Sequence, residues 1–179
     1  IAHLVEPTTD FMKGINTAHM AVHRGVRFEL DHAGVNFYPL DTPLIGFGVP
    51  SLWRFDDTRE YENALAYATL FANGWGTNFA LWQSGNLKYD FVCRPTGNDE
   101  WDGGLARGGL EVFRPIVGTV VQGAVDPPAR SLVKIEPDLV HLVSLKPAEF
   151  GSGMIMRLWS ADPDPLKAQL TLPFTRRGD

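Results

Sequence analysis

The densest chemistry in this chain lies between Asn73 and Gln83. The run Asn73-Gly74-Trp75-Gly76-Thr77-Asn78-Phe79-Ala80-Leu81-Trp82-Gln83 holds two tryptophans, two asparagines and a glutamine in eleven residues. A sugar site needs a flat apolar face to stack on, and amides that both donate to and accept from hydroxyls. Glycines on both sides put Trp75 in a turn, with Asn73 and Asn78 either side of it. Two readings stay open: Trp75 faces a ligand, or it anchors its loop against the domain. The candidate carbohydrate-binding residues here are Asn73, Trp75, Thr77, Asn78 and Trp82. Arg157 joins them from Met154-Ile155-Met156-Arg157-Leu158-Trp159. Strand alternation puts Ile155, Arg157 and Trp159 on one face. An Arg stacked beside Trp159 buries its stem and pairs its head, a structural role first and a cleft role second.

Other reactive types are present without the company their chemistry requires. His19 and His23 are four apart, which on a helix would let both hold a metal. The metalloprotease pattern also needs a Glu after the first His, where Met20 stands. Val22, Val26 and Phe28 lean towards strand instead. His141 sits in an apolar strand pattern and reads as a satisfied core or rim histidine. Acids cluster at Asp56-Asp57-Arg59-Glu60 and at Asp99-Glu100-Asp102. Glycosidase chemistry needs two carboxyls ~5–9.5 Å apart, one with a raised pKa. Both clusters lie in loop-like stretches, where solvated acids are the rule. No G-x-S-x-G is present, and Cys93 sits in a strand pattern that predicts a buried, inert thiol. Gly103-Gly104 and Gly108-Gly109 match neither a phosphate loop nor a dinucleotide fingerprint. The residues assign no catalytic group and no metal ligand to this chain.

The elements that must position these residues read as short strands. The 179 residues fit one domain of the usual ~100–200. Eighteen glycines and 13 prolines exceed the ~12% that soluble chains average, so turns are many. Val26 to Leu30 alternates as a half-buried strand, Asp31 to Gly34 turns, and Val35 to Leu40 returns, which makes a hairpin. Leu65 to Ala72 and Thr77 to Gln83 read as strands. Ser84-Gly85-Asn86 turns into another, Leu87 to Arg94. Leu105 to Phe113 carries a weak helical signal, and Ile116 to Val121 is β-branched. Leu132–Ile135, Leu139–Leu145, Ser152–Ser160 and Ala168–Leu172 read as an antiparallel meander. Eight to ten strands predict a mainly β fold, an antiparallel β-sandwich. Residues 1–25 read as a lead-in segment or linker, 26–175 as the sandwich and 176–179 as a tail.

Charge narrows the partners. The net charge is −5, and the only basic cluster is Arg176-Arg177, so nucleic acid is not expected. No window approaches ~18 consecutive apolar residues, so no membrane helix is expected. The start reads as neither a signal peptide nor an initiator Met, which suits a processed chain or a piece of a longer one and favours the cytoplasm while leaving the compartment open. One cysteine excludes internal disulfides and cysteine-rich zinc sites.

Three segments together resemble the C-terminal half of the α-mannosidases of glycoside hydrolase family 38. Asp41-Thr42-Pro43-Leu44-Ile45 is similar to that half's opening strand. Asn73 to Phe79, with Trp82-Gln83 and Gly85, is similar to its N-x-W-x-T-N-F…W-x-x-G segment. Ser131 to Trp159 is similar to its final meander, which ends in an R-L-aromatic strand. The likeness spans about residues 15–174. Phe150 stands where the pattern often has an acid or amide, and Gly74 where it often has Asn. The resemblance implies a β-sandwich of the galactose-mutarotase-like supersandwich type. It implies that this chain completes or supports the sugar cleft of an α-mannosidase-like glycoside hydrolase. Its partners would be carbohydrate and the N-terminal catalytic domain of the same parent chain. The zinc and the Asp nucleophile would belong to that domain's barrel, so no cofactor is expected in this chain. The alternative is a free-standing carbohydrate-binding or scaffold β-sandwich. A weaker third, an autonomous mutarotase-like enzyme, needs a His/Glu pair on a concave sheet that no spacing suggests.

Overall fold

Val26-Arg27-Phe28-Glu29-Leu30 forms the strand its period of two demands, and it turns back at once on Ala33 to Pro39. A computed structural model describes residues 5–31, 33–50, 55–57, 65–72, 80–97, 102–120, 122–123, 131–162 and 164–172. Among these residues the chain forms ten strands and one helix. In order they are β1 (His19–Ala21), β2 (Val26–Leu30), β3 (Ala33–Pro39), β4 (Leu44–Phe47), β5 (Ala66–Ala68), β6 (Phe91–Thr96), α1 (Asp102–Phe113), β7 (Lys134–Glu136), β8 (Val140–Pro147), β9 (Met154–Ser160) and β10 (Gln169–Thr171). Every pairing is antiparallel. The fold is mainly β, as the strand signals predict.

Two three-stranded sheets meet near Phe28 and Phe47. One has the order β2-β3-β6, the other β1-β4-β5. Asp41-Thr42-Pro43-Leu44-Ile45 does enter a strand, β4, whose Ile45 is fully buried. Ile45 and Phe47 share a face with Met20 and Ala68 across the ladder. Phe47 reaches Phe28 on the other sheet, ring centroids 6.4 Å apart. Gly46, on the opposite face of β4, leaves room for the Tyr67 ring; a Cβ there would collide with it. Tyr67 in turn meets His19 edge-on at 5.5 Å. His19 thus stands on a strand and His23 on the bend after it, away from a shared helix face. The stretch read as a lead-in segment supplies β1 and the buried Thr17 and Ala18.

The two faces of β2-β3-β6 differ in kind. Register and alternation put Arg27, Asn36, Tyr38, Arg94 and Thr96 on one face. Val26, Phe28, Val35, Phe37, Phe91, Cys93 and Pro95 share the other. Helix α1 lies against the polar face. Its sequence holds four glycines, each costing about 1 kcal/mol of helix propensity against Ala, so tertiary contact must hold it. Gly108 supplies that contact, because a Cβ there would strike the Tyr38 hydroxyl. Tyr38 is fully buried. The apolar face is half-buried along β2 and β3 and exposed along β6. Cys93 is therefore exposed, contrary to the predicted buried thiol, because its face of the sheet is uncovered at that edge.

The far edge of β6 has a defined hydrogen-bonding phase. Leu40 N–H donates to Asp90 O at 3.0 Å, so even-numbered positions of β6 face β3 in hydrogen-bonded pairs. Odd-numbered positions turn their peptide groups outward. Pro95, which has no N–H, falls on one of these.

The last third is paired differently from a simple meander. β8 and β9 form a hairpin with a bulge at Val143, and β10 pairs back with β7. Three other expectations shift. β5 keeps only three of the eight residues predicted around it. Residues 80–83 are irregular, the rest of the predicted Thr77–Gln83 strand lying outside the described residues. The strand predicted at Leu87–Arg94 begins at Phe91, because Asp41 Oδ2 accepts the Asp90 N–H at 2.7 Å and fixes where pairing with β3 starts. Ile116 to Val120 forms no strand, and Ile116, Val117 and Val120 are nearly fully exposed. β-branched residues favour a strand only where a partner ladder and packing receive them. No helix among the described residues is long and apolar enough to cross a membrane.

Candidate functional site

Asn73, Trp75, Thr77 and Asn78 lie outside the described residues. Of the predicted carbohydrate-binding set, Trp82 and Arg157 are described. Trp82 is 73% exposed, in the irregular stretch before β6. Leu81 and Leu87 are exposed beside it in sequence, and Tyr89 donates its hydroxyl hydrogen to Leu70 O. Arg157 is exposed on β9, opposite Ser144. The side chains of Trp82 and Arg157 make no hydrogen bond, ion pair or ring contact with a described residue. The structure therefore does not bring these two together.

The cation on Trp159 is Arg24, not the predicted Arg157. Arg24 sits on the bend before β2, and its guanidinium carbon lies 5.3 Å from the Trp159 ring centre. His141 packs on the same indole, 5.4 Å away and tilted by 33°. His141 is buried, 6% exposed, in β8 opposite Trp159. Its Nε2 has no hydrogen-bond partner, so the expected satisfied histidine is buried but not satisfied. Arg24 Nη1 is likewise enclosed without a partner. Burial, with Arg24 and Arg107 nearby, holds the His141 imidazole below its ordinary pKa; Asp138 pulls the other way. Burial and Arg114 likewise lower Arg24.

Helix α1 brings this seam together. Gly109 lets the helix approach the Arg24 stem, since a Cβ there would sit 2.9 Å from Arg24 Cβ. Arg114, just past the helix, donates from Nη1 to Val143 O at 2.6 Å, on the bulge of β8. Arg107 lies 3.6 Å from Asp138 in the turn before β8. On the other flank Glu111 accepts from Arg94 at 2.9 Å and lies 3.4 Å from Arg107. The Arg94 hydrogen bond is the main cause holding the Glu111 carboxyl below its usual range.

Sequence reasoning missed Arg24. It stands in His23-Arg24-Gly25 with no periodic neighbours, and only the Gly108-Gly109 pair inside a helical signal hinted at a close approach. Of the two acidic clusters only Asp56, Asp57 and Asp102 are among the described residues. Asp56 acts through its backbone, its carbonyl accepting from Thr17 N and Oγ1 at 2.7 and 2.9 Å. Asp102 opens α1, while Arg59, Glu60, Asp99 and Glu100 lie outside the described residues. No three His, Cys, Asp or Glu side chains gather to hold a metal among the described residues. In comparison with known proteins, the chain matches no family model, no curated protein and no solved structure.

Proposed function

We propose that this chain is the C-terminal β-sandwich portion of an α-mannosidase-like glycoside hydrolase, completing or supporting its sugar cleft. The observation that carries the reading is the uncovered β6 end of the apolar sheet face. Antiparallel sheets bury one face, and an exposed apolar face, preceded in the chain by exposed Leu81, Trp82 and Leu87, is a surface for something to cover. A catalytic domain of the same parent chain is a fitting cover, and it would bring Trp82 and the Asn73–Asn78 loop towards a sugar. The family-like segments also fall on suitable elements: Asp41 to Ile45 leads into β4, and the R-L-W run lies in β9.

The test is the protein made from its complete reading frame, assayed on an aryl α-mannoside. Turnover is expected, with Trp75→Ala lowering kcat/KM by about 5- to 150-fold, the equivalent of a stacking loss of roughly 1–3 kcal/mol. Residues 1–179 alone should give no turnover above buffer, since no nucleophile and acid/base pair is assembled among the described residues. A complete protein inert towards mannosides rejects the reading.

The exposure of Trp82 also favours the second reading, a free-standing carbohydrate-binding sandwich. Under that reading residues 1–179 alone should show saturable quenching of tryptophan fluorescence by methyl α-mannoside.

A further inference from the structure

The seam between helix α1, the bend before β2 and the β8–β9 hairpin is not balanced in charge. Glu111 and Asp138 serve Arg94 and Arg107. Arg24 and Arg114 have no carboxylate partner among the described residues. The two cations are close enough for Arg114 to disfavour the charge on Arg24. His141 feels Arg24 as its strongest charged neighbour. Arg24 and His141 lie 5.3 and 5.4 Å from the same indole. Each turns an enclosed nitrogen, Arg24 Nη1 and His141 Nε2, to no partner.

A buried donor left unpaired costs free energy, and a partly buried cation without a counter-charge costs more. Water would satisfy the donor but not the charge. An oxyanion satisfies both, and the planar guanidinium fork matches its geometry. The chain as a whole carries −5, so overall attraction would not draw anions to this seam. Any binding there has to be local.

We propose that Arg24, Arg114 and His141 form a binding site for an oxyanion, the phosphate or carboxylate group of a small ligand. The site uses none of the residues assigned to the sugar cleft and goes beyond the glycosidase reading. Arg24 supplies the charge and the main donor, with its stem held on Trp159 and passing Gly109. Arg114 adds the second charge, its side chain steadied by Val143 O. His141 supplies a neutral ring nitrogen rather than a third charge.

Calorimetric titration of the protein with inorganic phosphate and with glucuronate, at constant ionic strength, tests this, with glucose as the neutral control. Saturable binding of at least one anion is expected, with a Kd below about 1 mM. Binding of phosphate alone points to a phosphorylated ligand, and of glucuronate alone to an acidic sugar. Arg24→Gln and Arg114→Gln should each weaken binding about tenfold or more, while Lys167→Gln, an exposed residue outside the seam, should not. No saturable binding of either anion, or binding unchanged in Arg24→Gln, overturns the proposal. If the Arg24 variant does not fold, the imidazole resonances of His141 in the unaltered protein decide. They shift on anion titration if the site exists and stay put if it does not. Mannoside turnover takes no part, so this proposal and the glycosidase reading fail separately.

Discussion

One face of the β2-β3-β6 sheet carries Arg27, Asn36, Tyr38, Arg94 and Thr96 and lies against helix α1. The other carries valines, phenylalanines and Pro95 and runs out into solvent at β6. Burial of apolar area is the main drive of folding, so the apolar face ought to be the better covered. The reverse holds towards β6. The polar face is closed by this chain's own helix through particular contacts: Gly108 on Tyr38, and Glu111 on Arg94. The apolar face is met at Phe28 by Phe47 of the other sheet, and its β6 end is exposed. The contrast separates the face that this chain's own helix closes from the face that stays open towards β6.

The sharpest break of this contrast is at Tyr38. Tyr38→Ala should cost about 3–5 kcal/mol of stability in denaturant unfolding, the usual loss for a fully buried large side chain. A loss under about 1 kcal/mol would mean that α1 does not close that face. Next comes Gly108→Leu, expected to destabilise by roughly 1–3 kcal/mol through crowding against Tyr38. Helix propensity alone would make that change favourable by close to ~1 kcal/mol, so a stabilised variant would detach α1 from the sheet.

The third prediction concerns pH. The folded state holds His141 below its ordinary pKa, so under about pH 6.5 the unfolded chain binds the proton more readily. Stability should therefore fall as pH drops through that value, and go on falling until the folded imidazole also protonates. Melting curves between neutral and mildly acid pH should show this fall, and His141→Leu should flatten it. An equal fall in the variant would assign the acid sensitivity to other groups. The smallest effect belongs to the open face. Phe91→Ser should change the stability of residues 1–179 by about 1 kcal/mol or less, since Phe91 is 39% exposed. A loss as large as that at Tyr38 would show the face covered after all.

Local patterns were legible in the sequence, and pairings between distant segments were not. The β2–β3 hairpin and the β8–β9 hairpin follow from alternation within a few residues, which fixes both the strand and its face. The helix at 102–113 begins three residues before its predicted signal, because glycines blur its start. Ile116 to Val120 has strand propensity but no ladder to join. The β7–β10 pairing spans the hairpin between them and leaves no local mark. At the seam, Trp159 was legible as a residue that takes an arginine, but the arginine arrives from 135 positions earlier. The loop from Asn73 to Asn78 remains an expectation carried by its residue types.

The outward phase of β6 has a consequence for how this molecule can grow. Among the described residues β6 pairs on one side only, and an unpaired apolar edge strand is the ordinary template for runaway sheet extension between chains. Here the outward-facing positions are Phe91, Cys93 and Pro95, and the last has no hydrogen to offer. An incoming strand finds amide donors only at Phe91 and Cys93, and meets the pyrrolidine ring one step further on. The edge can accept a short strand that stops there. Pro95 therefore works against a long cross-β stack starting on this edge, because the ladder loses a donor there.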